Sequence, residues 1–154
     1  MKLKFIFLFL LCAQVYTQTL SGKVIGVKDG DTVVVIDAGN NQTTLRLAEV
    51  DCPEKAQAFG TKAKQFTSDA VYFKQIKYEV TDTDRYGRSI AKVYYDDNKY
   101  LSAEIIKNGF GWQYKEYSTS KFLAKLEQEA RQNKRGLWVD ANPVYPSDFR
   151  KSKR

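Results

Sequence analysis

The sequence contains no histidine. This absence excludes the Ser-His-Asp mechanism, zinc held by histidine and the usual imidazole base. Acid–base chemistry would therefore depend on carboxylates, Tyr, Lys or Arg. Any bound metal ion would be a hard cation with oxygen ligands, such as Ca²⁺.

Long hydrophobic runs are also lacking. The longest extends from Phe5 to Ala13 and is too short to cross a bilayer. Lys2 and Lys4 precede this run and polar residues follow it, which is the order of a secretory signal peptide. We therefore expect residues 1–19 to be a signal peptide, with an uncertain cleavage site, and the protein to be secreted or periplasmic. The alternative is a buried N-terminal strand.

Cysteine is scarce, since the chain has only Cys12 and Cys52. Removal of the signal peptide would leave Cys52 alone. An intramolecular disulfide would then be impossible despite the oxidising destination.

The chain of 154 residues is long enough for one domain with a core of its own, which we place at residues 20–148. Its net charge of +7 suggests an anionic partner, such as nucleic acid, a membrane surface or an acidic glycan. We interpret residues 149–154 as a basic, solvated tail that would help to hold a polyanion.

Hydrophobic periodicity predicts five strands and three α-helices. The predicted strands are 20–27, 32–36, 42–51, 76–80 and 89–95. The first helix is predicted at 61–74 and the third at 120–134. The second is a short helix with Ser102 as its N-cap. A helix between the third and fourth strands matches the order of a five-stranded OB-fold Greek-key barrel. The predicted class is therefore α+β, mainly β. Such barrels bind oligonucleotides or oligosaccharides on one face.

Two charged clusters and one further carboxylate lie at strand ends. The first cluster is Arg46, Asp51 and Glu54, the second is 84–88, and the further carboxylate is Asp31. If they converge, the set fits metal-assisted phosphodiester hydrolysis: two guanidiniums would bind phosphate, two aspartates would hold a hard cation, and a glutamate would accept a proton from water. Spacing alone favours the alternative, in which Arg46–Asp51 and Asp84–Arg88 are surface ion pairs.

Three tyrosines, Tyr86, Tyr114 and Tyr117, lie near these clusters in the sequence and could stack on bases. For Tyr114 and Tyr117, a half-buried position at the domain edge is an equally good interpretation.

Three motifs together resemble those of the thermonuclease (staphylococcal nuclease-like) family. They are Asp29-Gly30-Asp31-Thr32, the stretch 45–54 (Leu-Arg-Leu-Ala-Glu-Val-Asp-Cys-Pro-Glu) and Asp84-Arg85-Tyr86-Gly87-Arg88. The segments 105–109 and 135–138 are similar too, so the resemblance covers about residues 20–148. The ordered combination is specific, whereas each motif alone is not.

This resemblance implies a Ca²⁺-dependent endonuclease and exonuclease that acts on single- or double-stranded DNA and RNA and leaves 3′-phosphates. It implies that Asp31, Asp51 and the backbone carbonyl of Cys52 hold Ca²⁺. Glu54 would be the general base, and two arginines, Arg46 and Arg88, would stabilise the phosphorane.

By the same resemblance, Arg85 and Tyr86 would contact the substrate, and the tyrosines Tyr114 and Tyr117 would stack on its bases. We expect a monomer without a membrane span. Two features depart from the family: Cys52 replaces threonine, so its thiol could be oxidised and block the site, and the loop after Glu54 is shorter. The aromatic spacing near Tyr114 and Tyr117 differs from the family as well.

Two other functions stay open at this point. A domain of the same fold could bind nucleic acid or protein without catalysis, although the five charged positions of the site are intact here. A binder of anionic glycans is the other possibility, for which the basic tail is the main evidence.

Overall fold

Five long strands form a closed barrel in the computed structural model, which describes residues 18–153. The strands in chain order are β1 (Thr19–Asp29), β2 (Thr32–Ile36), β3 (Gln42–Leu47), β4 (Val50–Asp51), β5 (Gln75–Thr83), β6 (Ser89–Tyr95), β7 (Lys99–Tyr100) and β8 (Trp112–Gln113). Antiparallel pairing gives the order β3-β2-β1-β5-β6, and a parallel pairing between β3 and β6 closes the barrel. The predicted OB-type, mainly β fold is confirmed.

The barrel interior is filled by alternate residues of these strands, because side chains of a strand point to opposite faces in turn. Val33, Leu45 and Val93 are completely buried in this core. Arg46 lies between two such inward residues, Leu45 and Leu47, and therefore points away from the apolar interior.

Within residues 18–153, four α-helices surround the barrel, rather than the three that the sequence predicts. They are α1 (Gly60–Val71), α2 (Leu101–Lys107), α3 (Lys121–Gln132) and α4 (Pro146–Ser152), with a 3₁₀ helix at Gly136–Val139. The missed helix, α4, lies mostly in the predicted basic tail. Its seven residues are too few to show a hydrophobic period, and only Pro146 at its first turn marks its start.

Two local predictions are wrong. The third strand does not continue to Asp51, because it stops at Leu47 and Glu49 adopts a left-handed conformation with φ of 66°. The chain then resumes as β4, which pairs with β8. Ser102 is not an N-cap either: α2 begins at Leu101, and the buried Ser102 hydroxyl donates a hydrogen bond to the carbonyl of Ala48.

The predicted signal peptide lies outside the described residues, except for its last two positions. Within residues 18–153, no helix is both long and apolar enough to span a membrane.

Candidate active site

Arg46 is the centre of the charged cluster. Its Nη2 lies 3.2 Å from Asp31 Oδ2 and 3.1 Å from Asp51 Oδ1. Its Nη1 donates hydrogen bonds to the carbonyl oxygens of Leu47 (2.8 Å) and Val50 (2.9 Å). The Arg46 side chain is 12% exposed and that of Asp51 only 1%. The surface ion pair considered for Arg46 and Asp51 is therefore a buried one.

Asp31 is held in place by contacts with three chain segments. It precedes β2, whose first residue Thr32 is in register with Arg46 on β3. The Leu47 amide donates to the Asp31 carbonyl at 2.8 Å, and the Cys52 amide donates to Asp31 Oδ2 at 2.9 Å. The Thr32 hydroxyl donates to Asp31 Oδ1 at 3.2 Å. The sheet register thus fixes the Asp31 carboxylate beside Arg46.

The ionisation of the cluster reflects crowded, buried charge. Burial opposes the charged form of Arg46, but Asp31 and Asp51 outweigh it and raise the pKa of the guanidinium. Burial raises the pKa of Asp51 despite its contact with Arg46. Burial, and then the adjacent Asp31 carboxylate, raise the pKa of Asp29 to about 6. The cluster therefore favours additional positive charge.

A second guanidinium supplies part of that charge. Nη1 of Arg150 lies 2.7 Å from Glu54 Oε1, and its Nη2 lies 3.3 Å from Asp51 Oδ2. The interpretation of the terminal basic residues as a solvated tail is wrong for Arg150. The reason is that α4 folds back onto the loop that carries Glu54.

Two contacts hold the segment before α4 against the site. Gln57 Nε2 donates to the carbonyl of Val144 at 2.6 Å, while Gln57 Oε1 accepts from the Glu54 amide at 3.1 Å. The Tyr145 ring packs edge-on against Trp112 of β8. Sequence reasoning missed this arrangement, although Tyr145 directly before a proline is a signal for a packed helix start.

Arg88 is near the cluster in the fold but paired elsewhere. It lies two residues before Ile90 of β6, which is in register with Arg46 of β3. Its Nε donates to Asp84 Oδ2 at 2.7 Å, and in the part of the chain that the structure describes its ion pair is with Asp84. The structure thus brings together three of the predicted residues, Asp31, Arg46 and Asp51. Glu54 joins them through Arg150. The Arg88 side chain does not, because it is bound to Asp84 in its own turn.

The turn at 84–88 presents an exposed aromatic ring. Asp84 Oδ1 accepts hydrogen bonds from the amides of Tyr86 (2.9 Å) and Arg88 (3.0 Å). The Tyr86 side chain is 71% exposed, and Arg85 and Arg88 place their Cζ atoms 5.7 and 5.8 Å from its ring centroid. An exposed ring between two cations suits a base and its flanking phosphates.

Tyr114 and Tyr117 form an edge-on pair with centroids 4.7 Å apart. The Tyr114 ring centroid is 6.0 Å from Arg46 Cζ, and Tyr117 is 64% exposed. The pair therefore extends from the centre of the cluster to solvent.

Glu49, which sequence analysis did not select, holds this tyrosine segment. Its Oε1 accepts from the Ser118 hydroxyl and its Oε2 from the Tyr100 hydroxyl, both at 2.9 Å. Its carbonyl accepts from the Tyr114 amide at 2.9 Å. Only its position in the turn after β3 could have drawn attention to it.

The Cys52 side chain is buried, with 3% exposure. Burial raises the pKa of its thiol well above the ordinary value, so the thiol stays protonated. A Cβ added at Gly30 or Gly111 would lie within 3.1 Å of the Cys52 sulfur, which shows how closely the thiol is enclosed. This enclosure removes the direct route to the oxidation expected from the sequence.

The oxygen atoms present are of the type that Ca²⁺ prefers. Asp31 and Asp51 already share one cationic nitrogen of Arg46. Within residues 18–153, no group of three or more Asp, Glu, Cys or His side chains forms a metal cluster. A cation bound by Asp31 and Asp51 would have two carboxylates, with backbone carbonyl oxygen and water completing its coordination. The donor set fits a hard divalent ion.

Most of this chain is similar to known proteins. The family model described as Staphylococcal nuclease homologue matches residues 44–140. The chain belongs to the staphylococcal nuclease family. Residues 44–140 include Arg46, Asp51 and Glu54, as well as the turn at 84–88.

Several bacterial proteins are similar over most of their length. An uncharacterized endonuclease of Haemophilus influenzae is 39% identical over 132 residues, which are 86% of this chain and 74% of that protein. An uncharacterized endonuclease of Escherichia coli O157:H7 is 37% identical, over 93% and 90% of the two chains. A micrococcal nuclease of Shigella flexneri is 33% identical, over 86% and 82%. Membership of this family supports a nuclease with nucleic acid as its substrate class.

Proposed function

We propose that this member of the staphylococcal nuclease family is a secreted, Ca²⁺-dependent enzyme that hydrolyses phosphodiester bonds of DNA and RNA and leaves 3′-phosphates. The observation that carries the proposal is the position of Arg46 between two buried aspartates, with Glu54 linked to the same cluster through Arg150.

The cation would be held by Asp31, Asp51 and the backbone carbonyl of Cys52. When bound, Ca²⁺ supplies positive charge that neutralises the phosphate and polarises its P–O bonds. The support for these ligands is that the Cys52 amide already fixes the Asp31 carboxylate, at 2.9 Å. The remaining steps depend on side chains of the chain itself.

Glu54 would accept the proton of the attacking water. Its side chain is 39% exposed, so water can reach it, while Asp51 is shielded. The Glu54 amide is bonded to Gln57, which fixes the start of the loop. A positioned carboxylate of this kind is suited to general-base catalysis.

Arg46 and Arg88 would stabilise the charge that develops on the phosphorane. A guanidinium presents two parallel N–H groups to phosphate oxygens, and a lysine does not. Arg88 is 33% exposed, so a substrate phosphate can replace Asp84 as its partner. Losing one such donor costs about 3–4 kcal/mol of transition-state stabilisation.

The exposed aromatic and basic groups would bind the rest of the substrate. Arg85 and Tyr86 project from the turn at 84–88. Tyr114 lies beside Arg46, and Tyr117 packs against Tyr114. Stacking on these rings does not depend on base identity, which suits a nuclease that accepts both DNA and RNA. The expected signal peptide supports secretion, and we propose a monomer.

The test is cleavage of plasmid DNA with Ca²⁺ or with chelator. We expect degradation only with Ca²⁺, and products that carry 3′-phosphates. Glu54→Gln should retain binding of single-stranded DNA while losing most cleavage. Glu116→Gln is the matched control, because Glu116 is exposed, and it should cleave normally.

Three results would count against this assignment. Normal cleavage by Arg88→Ala would reject its role in phosphate stabilisation. Binding of DNA without cleavage under any Ca²⁺ concentration would favour the non-catalytic binding module. Stronger competition by heparin than by single-stranded DNA across a salt series would favour a glycan binder.

A further inference from the structure

We infer that Arg150 is a positioning residue of this site: its guanidinium, which also holds Glu54, competes with a divalent cation for the carboxylate of Asp51. The inference rests on the proposed Ca²⁺ dependence. It assigns a function in the reaction to the C-terminal helix α4, which carries Arg150.

The inference starts from the contacts of Asp51. Oδ1 of Asp51 is 3.1 Å from Arg46 Nη2, and Oδ2 is 3.3 Å from Arg150 Nη2. Both carboxylate oxygens therefore already have a cationic partner. A divalent ion that coordinates Asp51 through either oxygen must displace or share one of the two guanidiniums.

Of the two guanidiniums, Arg150 is the one that can leave. Arg46 is 12% exposed and also donates to the carbonyls of Leu47 and Val50, which would lose their partners if it moved. Arg150 is 39% exposed, and among residues 18–153 its side-chain hydrogen bonds and ion pairs are with Asp51 and Glu54. If Arg150 departs, no buried group of α4 loses a hydrogen-bond partner. The oxygen that it uncovers, Asp51 Oδ2, would be coordinated by the cation.

The surroundings of α4 allow such a movement. The helix is short, with seven residues at Pro146–Ser152. A cleft of about 830 Å³ is lined by residues of the segment before this helix and of β8 and α3, with Tyr145 and Trp138 among its lining residues. The C-terminal segment therefore packs only partly against the rest of the domain.

Competition has a measurable consequence. The apparent affinity for the cation is lowered by the fraction of molecules in which Arg150 occupies the carboxylates. Removal of the guanidinium should then strengthen Ca²⁺ binding. Because the Arg150 ion pairs are partly exposed, we expect an effect of about three- to tenfold in Kd, rather than several orders of magnitude.

The experiment is a calorimetric Ca²⁺ titration of the full chain and three variants, without substrate. Arg150→Ala should bind Ca²⁺ about three- to tenfold more tightly than the wild type. Arg150→Lys should fall between the two, because a lysine keeps the charge but cannot contact both carboxylates as a fork. Lys151→Ala is the matched control: it removes one charge from the same helix, and its Nζ is paired with Asp148.

Tryptophan fluorescence provides a second readout. The Tyr145 ring lies against Trp112, with centroids 5.5 Å apart, so release of the C-terminal segment should change the Trp112 emission. We expect Ca²⁺ to change this emission in the wild type. Without Ca²⁺, Arg150→Ala should already show part of that change.

The outcomes separate this inference from the proposed function. Equal Ca²⁺ affinity of wild type and Arg150→Ala, in a chain that cleaves plasmid with Ca²⁺, would overturn the inference alone. An equal gain in affinity for Lys151→Ala would also overturn it, since the effect would then be general electrostatics. A chain that neither binds Ca²⁺ nor cleaves would overturn both proposals.

Discussion

Nη1 of Arg46 donates a hydrogen bond to the carbonyl of Val50 at 2.9 Å, across the turn that ends the strand of Arg46. The same guanidinium contacts Asp51 through Nη2. One side chain thus closes the turn after β3 and holds a carboxylate of the site. Local structure and candidate chemistry therefore depend on the same residue.

Arg46→Lys should lower both activity and stability. A lysine has a single nitrogen and cannot serve Asp31, Asp51 and the two carbonyls together. We expect a loss of at least about 100-fold in kcat. We also expect the free energy of unfolding to fall by about 1–3 kcal/mol, because buried acceptors lose their hydrogen-bond donors. Plasmid cleavage and urea unfolding measure the two effects.

Arg135→Lys is the control for this substitution. Arg135 is exposed and donates one hydrogen bond, to the carbonyl of Lys107. Its kcat should stay close to that of the wild type, and its free energy of unfolding should change by no more than about 0.5 kcal/mol. An Arg46→Lys enzyme that behaved like this control would show that the fork of Arg46 is not needed.

Gln57→Ala should reduce kcat more than it changes KM. Gln57 is 8% exposed and connects the Glu54 amide to the carbonyl of Val144. Its loss would free the start of the Glu54 loop without removing a substrate contact. We expect kcat to fall by about tenfold, which corresponds to about 1.4 kcal/mol, and KM to stay within about twofold.

The variant Gln57→Glu separates the two bonds of this side chain. It keeps an acceptor for the Glu54 amide but loses the donor to Val144. Its kcat should therefore be higher than that of Gln57→Ala. Its free energy of unfolding should fall by about 1–3 kcal/mol relative to the wild type. If the two variants have the same kcat, the bond to the Glu54 amide does not position the base.

The strands were the most predictable part of the fold. β2 (Thr32–Ile36) and β6 (Ser89–Tyr95) begin and end where the sequence predicts, because dense β-branched or aromatic runs lie between clear turn residues. The end of β3 was not predictable in this way. Glu49 takes a left-handed conformation for tertiary reasons, since its carboxylate binds two hydroxyls from distant segments.

The candidate site was predictable where its residues are fixed by neighbouring strands. Asp31 and Arg46 meet through the register of β2 with β3. Arg150 could not be found in the same way, because it reaches Glu54 across 96 residues of sequence from a short helix without a visible period. Such a contact depends on packing of the chain end, which local pattern does not encode.

Tyr86→Ala should weaken substrate binding with little effect on stability. The Tyr86 ring is 71% exposed, so its removal leaves no cavity. Stacking of a base on an aromatic ring contributes about 1–3 kcal/mol, so KM should rise by roughly 5- to 150-fold. Tyr86→Phe should restore KM, because the ring and not the hydroxyl does the stacking.

Phe122→Ala provides the comparison for Tyr86. Phe122 is also an exposed aromatic residue, at 60%, but it lies on α3 away from the turn at 84–88. Its replacement should leave KM unchanged. A similar rise in KM for both variants would indicate general surface effects and contradict specific stacking on Tyr86.

Cys52 should resist thiol reagents in the folded protein. Burial raises the pKa of its thiol, so at pH 8 the reactive thiolate is rarer than for a free cysteine, whose pKa is about 8.5. Labelling with iodoacetamide at pH 8, followed by mass spectrometry of the peptide that contains Cys52, should be slow in buffer and fast in denaturant.

Because a higher pH produces more thiolate, the rate in the unfolded chain should rise between pH 7 and 9. In the native chain it should follow unfolding instead. Fast native labelling would show that the thiol is open to solvent, and that oxidation at this position can reach the site.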